Sequence, residues 1–137
     1  MRNLLLPLAA VMSVAATNYE GNYRLKEVAG DEIAAVVLPR DFDVKLEAVD
    51  GKPDEYNLYA KIGNNLSTRI KVSQGSDGPD SLKLGMVRSS RMMPPQDIFK
   101  VEQALSSLLP DMNQIQLEGE ELLLQGPRGK IICSKQA

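Results

Sequence analysis

The residues best suited to chemistry lie in one short stretch, residues 88–93, where two arginines flank two serines and two methionines follow. The stretch precedes a segment with helical spacing, so two guanidinium groups, the N–H groups of a helix start and the helix dipole could hold an anion there. A structural role is the alternative: a serine caps the turn, Arg91 pairs with a carboxylate such as Glu102, and the methionines fill the end of the core. The candidate site residues are Arg88, Ser89, Ser90, Arg91, Met92 and Met93.

The adjacent methionines Met92 and Met93 allow a third interpretation of the same stretch. Methionine side chains are flexible and polarizable, and they are common on surfaces that adapt to partners of varied shape. If both side chains are exposed, they favour a partner-binding surface.

The composition lowers the probability of several classes of function. The chain has no histidine, which removes Ser-His-Asp and Cys-His nucleophilic sites and His-ligated zinc. Sixteen Lys and Arg against eighteen Asp and Glu give a net charge of -2, without the basic excess of a nucleic-acid binder. Two Phe, four Tyr and no Trp leave few platforms for stacking bases or sugars. We therefore expect neither a nucleic-acid partner nor a common catalytic template.

Two further features that could carry chemistry have plainer explanations. Cys133 is the single cysteine and lies in the apolar run KIICS, where it is expected to behave as a small buried hydrophobe. The acidic residues of EGEE, residues 118–121, are expected at a solvated hairpin tip, because they lack the spacing of a calcium loop. No metal site and no cofactor are predicted.

Residues 1–17 combine one basic residue, an apolar run, and small residues at Val14, Ala15 and Ala16, which are the parts of a secretory signal peptide. The run is shorter than the roughly 20 apolar residues of a membrane-spanning helix, so no transmembrane span is expected. The alternative is a buried N-terminal apolar segment that belongs to the fold, and Pro7 interrupts the run. Cleavage near Ala16 would place the protein in the secretory pathway or at the cell surface, and an uncleaved segment would leave it cytoplasmic.

Residues 18–137 are predicted to form one domain, since a chain of 137 residues suits a single core. Alternation of apolar and polar residues indicates strands with one buried face. Short turns join them, among them Gly63, Asn64 and Asn65 in a hairpin, so the pairing should be antiparallel. The predicted strands lie within residues 23–28, 33–38, 42–48, 56–62, 66–72, 82–86, 115–117, 122–124 and 131–133.

One helix is predicted over residues 96–109, where Ile98, Val101, Leu105 and Leu108 fall on a single apolar stripe. Two prolines precede the segment and Pro110 follows it, as is typical of a helix start and stop. A sheet with one apolar face must cover that face, and this helix is the strongest candidate. The fold class is therefore α+β: a curled antiparallel sheet of about eight short strands, cracked-barrel-like, wrapped around one helix.

The order of motifs resembles the META domain, a family shared by a bacterial heat-inducible envelope protein and metacyclic-stage virulence proteins of trypanosomatid parasites. The resemblance rests on GNYRLKEV at 21–28, LKLGMVR at 82–88, SSRMMPP at 89–95, VEQAL at 101–105 with Glu102 matching a characteristic glutamate, and LLLQ at 122–125. It spans roughly residues 19–134. RMMPP is similar to the trypanosomatid branch. Many bacterial members carry a cysteine near the position of Pro94 and a Gly-Cys-Asn segment, for which residues 63–65 are the nearest counterpart here.

The resemblance implies a fold similar to the cracked barrel of secretin pilotins, which assist secretion and can shelter a lipid tail. It also argues against an enzyme, because no catalytic residues are established for the family. It implies a non-catalytic binding module linked to secretory or surface processes and to parasite virulence, acting through a protein or lipid-bearing partner. Two alternatives stay open: a carrier of a small apolar ligand between sheet and helix, and a hydrolase that works without histidine.

Overall fold

The chain folds around a sheet that closes on itself. The computed structural model describes residues 17–30, 36–75, 78–90 and 92–136. Within these ranges there are nine strands, one α-helix and one short 3₁₀ helix. In chain order they are β1 (Gly21–Gly30), β2 (Asp43–Val49), β3 (Lys52–Lys61), β4 (Asn65–Ser73), β5 (Asp80–Leu84), β6 (Arg88–Ser89), α1 (Gln96–Leu108), the 3₁₀ helix (Leu109–Asp111), β7 (Gln114–Glu118), β8 (Glu121–Gly126) and β9 (Gly129–Lys135).

Eight of these strands form a ring in the order β3-β2-β1-β9-β8-β7-β5-β4, which closes because β4 also pairs with β3. Every pair in the ring is antiparallel. Closure leaves few strand edges open to other chains. The predicted α+β fold, a curled antiparallel sheet with one helix, is confirmed, and the hairpin around residues 63–65 joins β3 to β4.

Alternation along each strand places one set of side chains inside the ring. All eight ring strands contribute to one contiguous apolar core. Its strand residues include Tyr23, Leu25, Val28, Val44, Leu46, Leu58, Ala60, Leu66, Ile70, Leu82, Ile115, Leu122, Leu124, Ile131 and Cys133.

Helix α1 covers one end of the ring with its apolar stripe. Val101 is fully buried, and Leu105 is only 2% exposed. Near the last turn of the helix, the Leu108 side chain lies against Gly30 and Gly129 at the ends of β1 and β9. The α-helix stops at Leu108 and continues as the 3₁₀ helix that contains Pro110. The sequence placed this helix within one residue of its actual end.

Tyrosines fill the opposite end of the ring. The Tyr19 hydroxyl donates to Asp80 Oδ2 at 2.5 Å, and the Tyr23 hydroxyl donates to the Tyr19 carbonyl at 2.6 Å. The rings of Tyr19 and Tyr56 meet edge to face, with centroids 6.0 Å apart. The residues just before β1 are therefore part of the core.

This core should make the protein sensitive to alkali. Burial raises the pKa of the Cys133 thiol to about 12 and that of the Tyr23 hydroxyl to about 12, from ordinary values of 9.0 and 10.0. Burial and then the hydrogen bond to Asp80 also raise the pKa of Tyr19. As pH rises, the unfolded chain loses these protons before the folded chain does. We expect the free energy of unfolding to fall between about pH 9 and pH 12.

Urea titrations at stepped pH would measure this loss of stability. In a Cys133→Val variant only the tyrosines remain, so the fall should begin nearer pH 10 than pH 9. A free energy of unfolding that stays level throughout this range would show that these groups are equally accessible in both states.

Two sequence predictions of strands need correction. Residues 36–38, the described part of the strand predicted over 33–38, are not in a strand, although the Val36 N–H donates to the Val28 carbonyl at 3.2 Å. Met86 was predicted to continue the buried alternation of Leu82 but is 78% exposed. One extra residue between Leu84 and Arg88, relative to their partners on β4, reverses the alternation there.

The predicted signal segment lies outside the described residues, except for Thr17. No helix in the described part of the chain is long and apolar enough to cross a membrane.

Candidate functional site

A buried carboxylate organises the corner where the candidate residues lie. Glu102 is on the apolar side of α1 and only 7% exposed. Its Oε1 accepts the backbone N–H of Asn64 at 2.7 Å, and its Oε2 accepts the Asn64 side-chain amide at 2.8 Å. Hydrogen bonds to an ionised group are stronger than those between neutral groups. The contact ties the helix to the turn between β3 and β4.

Asn64 also makes hydrogen bonds to the loop between β6 and α1, which carries candidate residues Ser90 and Met92. Its Oδ1 accepts the backbone N–H of Met92 at 2.6 Å, and its amide donates to the Met92 carbonyl at 3.0 Å. The Ser90 hydroxyl donates to the same Oδ1 at 3.1 Å and accepts the Asn65 N–H at 3.0 Å. One buried asparagine side chain therefore fixes the backbone of the loop between β6 and α1.

Close packing supports these hydrogen bonds. Gly63, next to Asn64, faces Pro94 and Ile98 at the start of α1. A Cβ atom on Gly63 would lie 2.5 Å from Pro94 Cβ and 3.0 Å from Ile98 Cγ2. The turn can approach the helix only because it carries glycine at this position.

Replacing this glycine should therefore be costly. We expect Gly63→Ala to lower the free energy of unfolding by about 1 to 3 kcal/mol, as overpacking usually does. Gly85→Ala is the matched control, because a Cβ there would meet nothing closer than 3.5 Å. Urea denaturation of both variants tests the prediction, and a larger loss for Gly85→Ala would contradict the packing described above.

The candidate residues fall on two different faces of the strand segment. Val87 and Ser89 line an open depression of about 700 Å³ together with Ser90, Met92 and Met93. Arg88 points to the other face, where it lines a depression of about 320 Å³ with Met86 and Tyr59. Met92 is 64% exposed and Met93 is 89% exposed, so they do not fill the barrel end. Arg91 lies outside the described residues, so its predicted pairing with Glu102 stays a prediction.

Among the described residues, the hydroxyls of Ser89 and Ser90 donate to carbonyl and amide oxygens. The Ser89 hydroxyl donates to the Ser90 carbonyl at 2.9 Å, and the Ser90 hydroxyl donates to the amide oxygen of Asn64. Neither acceptor is a base that could take the proton of an attacking hydroxyl. The nearby carboxylate of Glu102 accepts hydrogen bonds from Asn64 through both oxygens, and neither oxygen is paired with either serine hydroxyl. Among the described residues, no group of three or more Asp, Glu or Cys side chains could hold a metal ion.

Sequence reasoning missed the central role of Asn64, which it treated as a turn residue and as part of the nearest counterpart of the family's Gly-Cys-Asn segment. The signal was Glu102, a charged residue on the apolar stripe of the helix, four residues after Ile98 and three before Leu105. A buried carboxylate requires hydrogen-bond donors. Its donor could not be identified from sequence, because Asn64 is distant in the chain and tight turns commonly contain asparagine.

Comparison with known proteins agrees with this architecture. A structure described as "NMR structure of the protein from Burkholderia xenovorans" is similar with a TM-score of 0.61 and 13% identity, covering 91% of this chain and 94% of that one. Likeness at this identity concerns the fold alone. Comparison with curated proteins gives no significant match. The family model described as "META domain" matches residues 15–137, nearly the whole chain. The chain therefore belongs to the META domain family.

Proposed function

We propose that this protein is a non-catalytic binding module that holds a protein partner at the corner formed by Val87, Ser89, Ser90, Met92 and Met93. The observation that carries the proposal is the exposure of two adjacent methionines, Met92 at 64% and Met93 at 89%. They lie on a loop whose backbone is held by hydrogen bonds between Asn64 and Met92. Fixed backbone reduces the entropy lost on binding, while the flexible methionine side chains adapt to the partner. Large exposed apolar side chains beside a depression are typical of interaction sites.

The cellular compartment and the process in which the module acts are proposed from the sequence. Residues 1–16 have the composition of a secretory signal, and RMMPP resembles the trypanosomatid branch of the family. We therefore place the module in the secretory pathway or at the surface of a parasite, in a process linked to virulence. A lipid-bearing protein is an acceptable partner for the same apolar corner.

A carrier of a small apolar ligand is the second candidate. It would need a dry cavity between sheet and helix. The apolar stripe of the helix and the inward side chains of all eight ring strands instead pack into one contiguous core. This packing favours the binding module over the carrier. A hydrolase without histidine is disfavoured by the hydrogen bonds of Ser89 and Ser90, which lead to carbonyl and amide oxygens.

Site-specific photocrosslinking in the native cells tests the proposal. A photoreactive residue in place of Met93 should yield a discrete crosslinked protein, because the side chain is almost fully exposed. The control is the same residue at Asp50, an exposed position in the turn between β2 and β3 at the other end of the ring. Identical crosslinks at both positions, or none at Met93, would contradict a specific partner at this corner.

The compartment can be tested separately. Deletion of residues 1–16 should leave the thermal unfolding midpoint nearly unchanged, because the described core begins with Tyr19. Intact-mass measurement of protein from native cells should show a chain that begins near Thr17. A native chain that retains Met1, together with a deletion variant that does not fold, would overturn the secretory assignment.

A further inference from the structure

The segment from Leu84 to Ser89 runs beside β4 and has a free outer edge, with residues 85–87 forming an irregular connection between β5 and β6. On one side it pairs with β4, and the N–H groups of Gly85 and Ser90 donate to Arg69 and Asn65 carbonyls. On its other side β5 pairs with β7 only at Asp80 and Ser81, and the Leu82 N–H donates to the Asn113 carbonyl. Beyond Leu82, no strand among the described residues pairs with this side.

The backbone groups at this edge are available for pairing. In antiparallel pairs, successive residues direct their N–H and C=O groups to opposite sides. Because the Ser90 N–H faces β4, the main-chain groups of Ser89 face away from it. Within the described part of the chain, neither Val87 nor Ser89 makes a backbone hydrogen bond on that outer side. Such an edge is a template for an added strand.

The two faces beside this edge differ in chemistry. On the outer face of the barrel, Lys71, Lys83 and Arg88 make no ion pair among the described residues, and Arg69 is paired with Glu55 at 3.2 Å. On the face toward the helix, the neighbours are Val87, Met92 and Met93. This local excess of positive charge contrasts with the net charge of -2 of the whole chain.

The geometry points to β-strand addition: the free edge at Leu84–Ser89 binds an extended peptide whose side chains alternate between acidic and apolar. Its backbone would pair with the outward groups of Val87 and Ser89, its carboxylates would face Lys83 and Arg88, and its apolar side chains would face Met92 and Met93. Period-two alternation is what an added strand imposes on its side chains. The inference rests on the proposed function and names the chemistry of the partner.

A synthetic peptide of alternating Glu and Val, about six residues long to match an average strand, is the direct probe. We expect it to bind about tenfold more tightly than the matching Lys and Val peptide, because two or three charge pairs change sign. A third peptide has the Glu and Val sequence but methyl groups on the backbone nitrogens that face the edge. It keeps every side chain and should lose most of its binding. Hydrogen exchange should slow at the Val87 and Ser89 amides when the first peptide binds.

Variants of the protein test the backbone pairing and the charge preference separately. Ser89→Pro removes the outward N–H and should abolish binding, whereas Ser89→Ala should leave it unchanged. Arg88→Glu should remove most of the preference for the acidic over the basic peptide, because the carboxylate at position 88 offsets the positive charge of Lys83. Thermal melts verify that each variant is folded.

Each contrary outcome has a defined meaning. Undiminished binding of the methylated peptide would overturn strand addition while leaving partner binding through the methionine side chains intact. Equal affinity for acidic and basic peptides would overturn the acidic partner. No binding of any peptide, or a protein that forms a dimer through this edge in sedimentation, would overturn the inference, while a Met93 crosslink to another protein would still support the proposed function.

Discussion

Replacing Glu102 with alanine is expected to lower the free energy of unfolding by about 3 kcal/mol, because two buried donors lose their acceptor. The Asn64 backbone N–H and side-chain amide both point at this carboxylate, at 2.7 and 2.8 Å. Asn64 is itself 4% exposed, although it borders the open depression, so water should replace the lost oxygens only in part. The loss should also loosen the loop, since Met92 is held by the same asparagine.

Two controls sharpen this experiment. Gln103→Ala changes the next residue, which is exposed, and should stay within about 0.5 kcal/mol. Glu102→Gln keeps the shape but places a donor against one of the two Asn64 donors, so its cost should lie between those of the other variants. Urea denaturation gives all three values. Equal unfolding midpoints for Glu102→Ala and Gln103→Ala would show that the carboxylate does not hold the corner together.

The second large effect is expected at Leu105. Its side chain is 2% exposed and lies on the stripe by which α1 covers the barrel end. Leu105→Ala should cost about 2 to 5 kcal/mol, because the lost methyl groups leave a cavity that the surrounding strands cannot fully close. A typical domain is stable by about 5 to 15 kcal/mol, so this loss is a large fraction of the total.

Glu47→Ala is the control for Leu105→Ala. The Glu47 side chain is 46% exposed and pairs with Lys45 at 3.3 Å, an exposed contact worth little. Its effect should stay within about 0.5 kcal/mol. Equal shifts of the denaturation midpoint for the two variants would mean that the helix presents a different face to the core.

The fold was largely predictable because its signals are local. Alternation along β2, β3 and β4 sets which side chains are buried, and the apolar stripe with its flanking prolines sets the helix. The exposure of Met86 was not predictable, since it depends on one extra residue relative to β4, and a bulge has no clear pattern in a single sequence. Closure of the ring was also beyond the sequence, because it depends on the short pairing of Asp80 and Ser81 with β7.

The candidate site was only partly predictable for a related reason. The sequence predicted residues 88–93 as one site because they are adjacent in the chain. In the strand, however, the side chains of Arg88 and Ser89 lie on opposite faces of the sheet. The anchor of the site, Asn64, comes from another hairpin. Which side chains meet at the end of a barrel is a property of strand register, and register depends on the whole sheet.

The central claim is tested most directly with the partner protein that photocrosslinking at Met93 identifies. The measurement is the dissociation constant of this partner for a Met92→Ser, Met93→Ser double variant, compared with that for the unchanged protein. Both side chains are exposed, and the Asn64 contacts that fix the loop involve only the backbone of Met92. The account predicts at least about tenfold weaker binding, with an unchanged melting temperature, because exposed apolar anchors carry much of the energy of an interface. An unchanged dissociation constant would contradict the assignment of this corner as the binding site.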